Sequence, residues 1–389
     1  YWSAGVDVVV STARLGVANS LAGLSVALLA PFLGILSDQL SAKKQFLFFF
    51  TSLGVLMTAA LFFISKGAWQ SAIGVYVLAS IGFSGAIIFY DALLATVANK
   101  NDLDRVSSLG FSLGYLGGGL LFALNVWMTL DPQLFSLSSV AQAVRVSFLM
   151  VAIWWAVFSL PLFFGVKEAV LEKKKLSIML LLDRFIAMKS LFFTIIKSRH
   201  IALFLLAYFF YMDGVGTVIR MAVDYGLSIG FQSQNLIMAL LLIQFIGFPS
   251  AILFGKMAVR FSAEKCIVFA LLIYLIITLW GSLMSTVHEF YGLAVLVGCV
   301  QGGLQALSRS YFASLLPHAR SGEYFGVYNM VGRFSTVLGP LLMGSIAFLL
   351  YSIGIDSILA TRISILSVSS LFLIGLYVFL ASIKSSKVS

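Results

Sequence analysis

The residues of this chain that could do chemistry are few, and they stand inside long apolar runs. Asp91 lies near one end of the run at 71–98, Asp213 near the middle of the run at 200–222, Arg309 within 289–316 and Arg333 within 324–350. An ionisable side chain in such a place costs about 2.5–3.5 kcal/mol to insert into lipid, so each is a functional candidate and is expected to have a partner. Asp91 and Arg309 occupy aligned positions in the two copies of a repeat described below. Pseudo-twofold symmetry could let them face each other as a gate, paired in one state and apart in the other; a static pair, or a separate partner for each within its own half, is the alternative. Arg333 could compete for Asp91 or hold a carboxylate of a solute through two parallel hydrogen bonds, and Tyr115 is its counterpart in the first half. Asp213 is the candidate for taking up and releasing a proton, because loss of hydration disfavours a charged carboxylate. Gly214 and Gly216 beside it weaken the helix and could open backbone carbonyls to a cavity. A hydroxyl or amide on a neighbouring helix could satisfy Asp213 instead, or Arg220, two turns further along a similar face.

Uncharged polar side chains in the same runs add a second tier. Asn125, Gln244, Gln301, Gln305 and Asn329 could line a cavity or hydrogen-bond between helices, and Arg220 joins the cavity candidates. Gln301, Gln305 and Arg309 recur every four residues and so share one helix face, a polar stripe that reads as the wall of a cavity. Gly114 with Gly117, Gly118 and Gly119 gives a small-residue face for close helix contact. The sequence contains no metal-ligand set, no paired catalytic carboxylates and no nucleophile with an adjacent base, which argues against an intramembrane enzyme; no cofactor and no metal are expected. Cys266 and Cys299 give neither a disulfide framework nor metal spacing.

The elements that must position these groups follow from composition. Of 389 residues, 61% are hydrophobic and 10% charged, against about 25% charged in a soluble domain. A membrane crossing takes about 20 apolar residues. Apolar runs lie near 15–38, 46–65, 71–98, 106–129 and 144–166, and again near 200–222, 234–256, 265–285, 289–316, 324–350 and 362–383. Between the two groups, the segment 167–199 combines Lys173, Lys174 and Lys175 with an apolar stretch interrupted by Asp183, Arg184 and Lys189. It is expected to be a linker whose helix lies on the inner membrane surface, its basic groups toward anionic lipid. Residues 1–166 then form an N-terminal bundle and 200–389 a C-terminal one.

The net charge of +10 would point to nucleic acid in a soluble protein. Here eighteen of the 25 Lys and Arg fall in one alternating set of loops and five in the other, with Arg309 and Arg333 inside runs. That asymmetry is the mark of membrane orientation, with the basic loops and the C-terminus cytoplasmic, and no nucleic-acid partner is expected.

The chain also repeats itself. GILSDQLSAKK at Gly34–Lys44 aligns without gaps to GKMAVRFSAEK at Gly255–Lys265, and a second register pairs FYDALLATVA with LSRSYFASLL and sets Gly114 opposite Gly332. In the second half this loop follows two runs, in the first half only one. The register therefore predicts a helix preceding Tyr1, making twelve in all; a natural eleven-helix chain is the alternative. Parallel six-helix repeats related by an axis along the membrane normal are the layout of the major facilitator superfamily.

The loop GILSDQLSAKK resembles that superfamily's signature, a Gly, an Asp four residues later and a basic pair. YDALLATVA with RVSSLGFSLGYLGGGLL, then YMDGVGTVIRMA, GGLQALSRSYFASLLP and EYFGVYNMVGRFSTVLGP look like the superfamily's vacuole effluxer branch, named for a fungal autophagy-related amino acid effluxer and rich in bacterial members. The resemblance implies an all-α integral membrane protein of the major facilitator fold in the bacterial inner membrane. It implies a permease moving a small polar solute, with amino acids the leading class; the depth of Asp213 makes a proton the expected coupling ion, and a monomer in lipid is expected. A transport-inactive receptor or scaffold on the same fold is the other reading. The resemblance further implies that Asp38 latches toward the start of the helix near Tyr324, where a carboxylate gains from the helix dipole; the second copy has Val259 at that place, so the latch is one-sided.

Overall fold

A computed structural model describes residues 2, 8–168, 178–228, 230–317 and 320–386. The described chain is helical, without strands. Among the described residues, eleven helical stretches are long and apolar enough to cross a membrane, and they match the apolar runs. Large apolar side chains such as Phe164, Leu283 and Phe348 are exposed on them, as a lipid-facing surface requires. The helices are α1 (Val8–Leu40), α2 (Lys43–Ala60), α3 (Trp69–Val97), α4 (Leu103–Leu130), α5 (Val140–Gly165), α6 (Ile178–Lys197), α7 (Arg199–Ser228), α8 (Ser233–Phe261), α9 (Ala263–Leu283), α10 (Val287–Ser314), α11 (Ser321–Phe334), α12 (Leu338–Ser352), α13 (Ser357–Ser367) and α14 (Ser369–Ser386). The linker helix is α6. Lys173, Lys174 and Lys175 lie outside the described residues, as do the side chains of Asp183 and Arg184.

Local chemistry explains where the helices start and break. Ser41 and Ser262, aligned in the repeat, both take positive φ, 48° and 89°, in the tight turns between α1 and α2 and between α8 and α9. The α10 start is a capping box, in which Glu289 N–H donates to Thr286 Oγ1 and Thr286 N–H to the Glu289 carboxylate. The sequence reads 324–350 as one helix, but the chain leaves helical geometry at Ser335–Val337. Pro340 has no N–H to give and its ring would meet the carbonyl of Thr336, so the helix stops one turn before it. The last run divides likewise at Val368, where Ser364, Ser367, Ser369 and Ser370 turn their hydroxyls back on carbonyls three residues earlier, a bond that bends helices.

The chain forms two compact units. The first holds Tyr1–Val97, Leu121–Leu191 and Leu316–Arg333; the second holds Ala98–Leu120, Phe192–Leu315 and Phe334–Ser389. In the first, α2 and α3 touch at bare backbone, because a Cβ on Gly82 would strike Gly54. Beside that contact, Phe46 and Phe50 stack on Phe89 at 5.2 and 5.8 Å, in a core with Val26, Leu47, Ile88 and Leu93. In the second, Phe204 stacks on Phe312 and Tyr274 on Phe372 at 5.0 Å, all fully buried.

Candidate functional site

Within the first unit, Asp38 near the end of α1 is buried and uses both carboxylate oxygens. Oδ1 meets Lys43 Nζ at 2.8 Å and accepts from Gly322 N–H at 3.1 Å; Oδ2 accepts from Glu323 N–H at 2.8 Å. Those two amides belong to the first turn of α11, whose N–H groups have no partner within their own helix. Lys43 Nζ also donates to Ser321 Oγ at 2.9 Å, and Ser321 Oγ donates to the Ala92 carbonyl on α3. Glu323 is held in turn by Arg320 at 2.6 Å. A residue absent from the sequence reading completes the cluster. Glu168, just past α5, accepts from the backbone N–H of Lys43 at 2.8 Å and of Lys44 at 3.1 Å, while Lys44 Nζ donates to the Val166 carbonyl.

Glycine makes this seam possible. A Cβ on Gly34 would collide with the Gly322 carbonyl, and one on Gly326 would lie 2.5 Å from the Ala30 carbonyl, so α1 and α11 meet backbone to backbone. Gly34→Ala drives a methyl group into a carbonyl that has no flexible end to yield. The expected loss is about 1–3 kcal/mol, read as a lower midpoint of thermal unfolding, whereas Gly16→Ala, with nothing within 4 Å, leaves the midpoint unchanged or slightly raised. One repeat later, in the second unit, the aligned Gly255 of α8 makes room for a side chain instead: a Cβ there would lie 2.7 Å from Ser108 Cβ of α4.

Asp91 on α3 accepts from Asn329 Nδ2 at 3.2 Å, and that amide also donates to the Phe325 carbonyl on its own helix. Arg333 follows Asn329 by one turn of α11. Asn125 is on the part of α4 in this unit, and its Oδ1 is buried without a partner among the described residues.

The second unit binds the first part of α4 to α8 and α10. Arg309 donates from Nε to Ser107 Oγ at 3.0 Å and from Nη2 to the Ser107 carbonyl at 3.1 Å, its guanidinium 4.7 Å over the Phe111 ring. Ser107 Oγ donates to the Ala306 carbonyl, Ser310 to Asp104, and Ser112 to the Phe248 carbonyl. The Tyr115 ring lies between Gly247 and Gly302, where a Cβ would stand 2.7 and 2.8 Å from it, and its hydroxyl reaches Gln305 at 3.5 Å. Gln305 and Arg309 thus both face α4, while Gln301 keeps a buried Oε1 without a partner among the described residues. Gln244 packs against Gly118 and Gly119. Asp91 and Arg309 fall in different units, each with the neighbours named here.

Asp213 is fully buried in α7 and addresses the broken helix. Its Oδ2 accepts from Gly339 N–H at 2.9 Å in the first turn of α12, and the Leu338 N–H also points at the carboxylate. Its Oδ1 has no hydrogen-bond partner among the described residues. One turn on, Thr217 donates to the Asp213 carbonyl, and a Cβ on Gly339 would run into the Thr217 hydroxyl. Arg220 reaches the Thr336 carbonyl within the break at 3.3 Å. Asp213, Thr217 and Arg220 lie on one face of α7 and grip the break from its start to the first turn of α12. The sequence hinted at this only through Gly339 and Pro340, because the partners on the far side are backbone groups.

The profile of the family described as "Vacuole effluxer Atg22 like" matches residues 7–382. The chain belongs to that family. Within this effluxer-like family it is 39% identical over 340 residues to the uncharacterized MFS-type transporter YxiO of Bacillus subtilis, covering 87% of this chain and 79% of the relative. It is 24% identical over 267 residues to autophagy-related protein 22-1 of Aspergillus fumigatus, covering 62% of this chain and 43% of that protein; the match thus spans less than half the length of the fungal relative. Among solved structures, the proton:xylose symporter XylE superposes with a TM-score of 0.72 at 13% identity, covering 97% of this chain and 88% of that one. The effluxer-like chain has the major facilitator fold and is a multi-pass membrane protein of the transporter class.

Proposed function

We propose that this chain is a secondary active transporter that moves a small polar solute by alternating access and draws on a proton gradient. The observation that carries the reading is that first-repeat helices meet second-repeat helices beside buried polar groups: Asp38 and Lys43 at α1 and α11, where bare backbone touches at Gly34 and Gly326, and Arg309 and Ser107 at α4 and α10. Interfaces of this kind suit two bundles, 1–166 and 200–389, that part and rejoin about the linker at 167–199. The bias of Lys and Arg supports a cytoplasmic placement for the α1–α2 turn and the C-terminus, in the inner membrane of a bacterium and as a monomer.

In this reading Asp38 latches the first turn of α11, Asp91 with Asn329 and Arg333 forms one gating set, and Arg309 forms the other. Asp213 carries the proton. Gln301, Gln305, Asn125 and Arg220 line the path. Arg309→Lys keeps the charge but loses the planar fork that reaches both oxygens of Ser107; a fall of about tenfold in initial uptake rate is expected, the equivalent of one charge-assisted hydrogen bond. The double exchange Asp91→Arg with Arg309→Asp tests whether these two also meet during the cycle: recovery of uptake lost in each single variant is the outcome that supports it.

Amino acids are the first cargo to test, because the resemblance is to an amino acid effluxer. Uptake and efflux by full-length protein in proteoliposomes, screened across amino acids with and without an imposed pH gradient, decides the matter. Solute movement that responds to the gradient supports the reading. A flat response to every solute favours a transport-inactive receptor on the same fold.

A further inference from the structure

Beside the break between α11 and α12, the second unit holds a cavity of about 100 Å³. Its walls come from α7, α8, α9, α10, α12 and α13, and buried Ala239, Leu293, Ala294 and Met343 are among its lining. Among the described residues, no charged side chain lines it. The hydroxyls on its wall are already engaged: Thr217 donates to the Asp213 carbonyl, Thr278 to the Leu275 carbonyl at 2.9 Å, and Tyr225 to the Met284 carbonyl at 3.2 Å. A guest in this space meets almost only carbon and, among the described residues, no hydroxyl hydrogen left to donate. Cavities of that character stay dry and take up xenon or benzene, because atoms facing a void lack the dispersion contacts that a close-packed interior supplies.

The position of the cavity matters more than its size. Thr217 is one wall, and the same side chain bonds to Asp213 and abuts Gly339. Met343, one turn beyond Gly339, brings α12 into the lining as well. A guest would touch α7 and α12 together only while α12 is seated against the grip of Asp213. A ligand that binds one arrangement better than another shifts the population toward it.

We propose that this cavity is a binding site for a small apolar molecule with no hydrogen-bonding head group, between xenon and benzene in size, and that its occupant holds α12 on α7 and slows opening at Ser335–Val337. The site is regulatory and lies apart from the solute path, and the proposal does not depend on which solute is carried.

Benzene is the probe, added to full-length protein in lipid nanodiscs while amide hydrogen exchange is followed across 335–343. Benzene is expected to slow exchange there at least threefold, with no change in peptides from α2 and α3. Ala239→Leu, which fills the cavity from α8, is expected to slow exchange without benzene and to remove the response to it; Ala294→Leu on α10 repeats the test should the first variant fold poorly. Met343→Ala widens the space and strengthens the benzene response. Unchanged exchange at 335–343 in both the native protein and Met343→Ala overturns the proposal, and so does a benzene effect that survives both filling substitutions, which would report dissolved benzene in lipid.

Discussion

Asp38→Ala is expected to be the most damaging single change at the α1–α11 seam, lowering stability by about 3–5 kcal/mol and abolishing uptake. The carboxylate has both oxygens in use, one on Lys43 and Gly322 and the other on Glu323. Its removal leaves Lys43, whose side chain is 9% exposed, without its counter-charge, and strips the cap from two amides of α11. Removing both charges together, as Asp38→Ala with Lys43→Ala, should recover part of the loss, since no buried charge is then left alone. Thermal unfolding in detergent measures the stability and proteoliposome uptake the function. A double variant as unstable as Asp38→Ala would show that the damage does not come from an orphaned Lys43.

Asp213→Asn carries the second large effect. The amide cannot titrate, yet it keeps an oxygen for the Gly339 N–H, so the start of α12 stays capped. Uptake driven by a pH gradient is expected to fall at least tenfold, while solute exchange without a gradient stays within about twofold of the native rate, fractions set by a step worth 1.4 kcal/mol per factor of ten. Asp213→Ala loses the cap as well and should cost about 0.5–2 kcal/mol of stability. Equal losses of both transport modes in Asp213→Asn would assign this carboxylate to the scaffold of the broken helix alone.

What the amino-acid order disclosed about the fold depended on how far the signal reached along the chain. Apolar runs bounded by polar breaks are local, and the eleven spans could be read directly. The repeat was also legible, and the aligned Ser41 and Ser262 both take a positive φ between their helices. Partners across hundreds of residues were legible only when both were side chains of unusual type. Asp38 stood out as a charge at the end of an apolar run, but Glu168 looked like one more ionic residue in a polar linker, and nothing in its spacing marks it as a cap on Lys43 and Lys44. Asn329 read as one polar residue among five, and its meeting with Asp91 depends on how α3 and α11 are packed. Asp213 was legible by depth, but its partner is a peptide N–H, which every residue except proline carries.

The backbone contact of Gly34 with Gly322 and of Gly326 with Ala30 has a consequence for speed. Helices that mesh through long side chains must unlock many rotamers before they separate, and each adds friction. In a transport cycle of the kind proposed above, these two surfaces would slide as bare rails. The pace of parting would then be governed by a handful of ions clustered at one end, and a single proton or mutation at that end would act as a throttle on the whole motion.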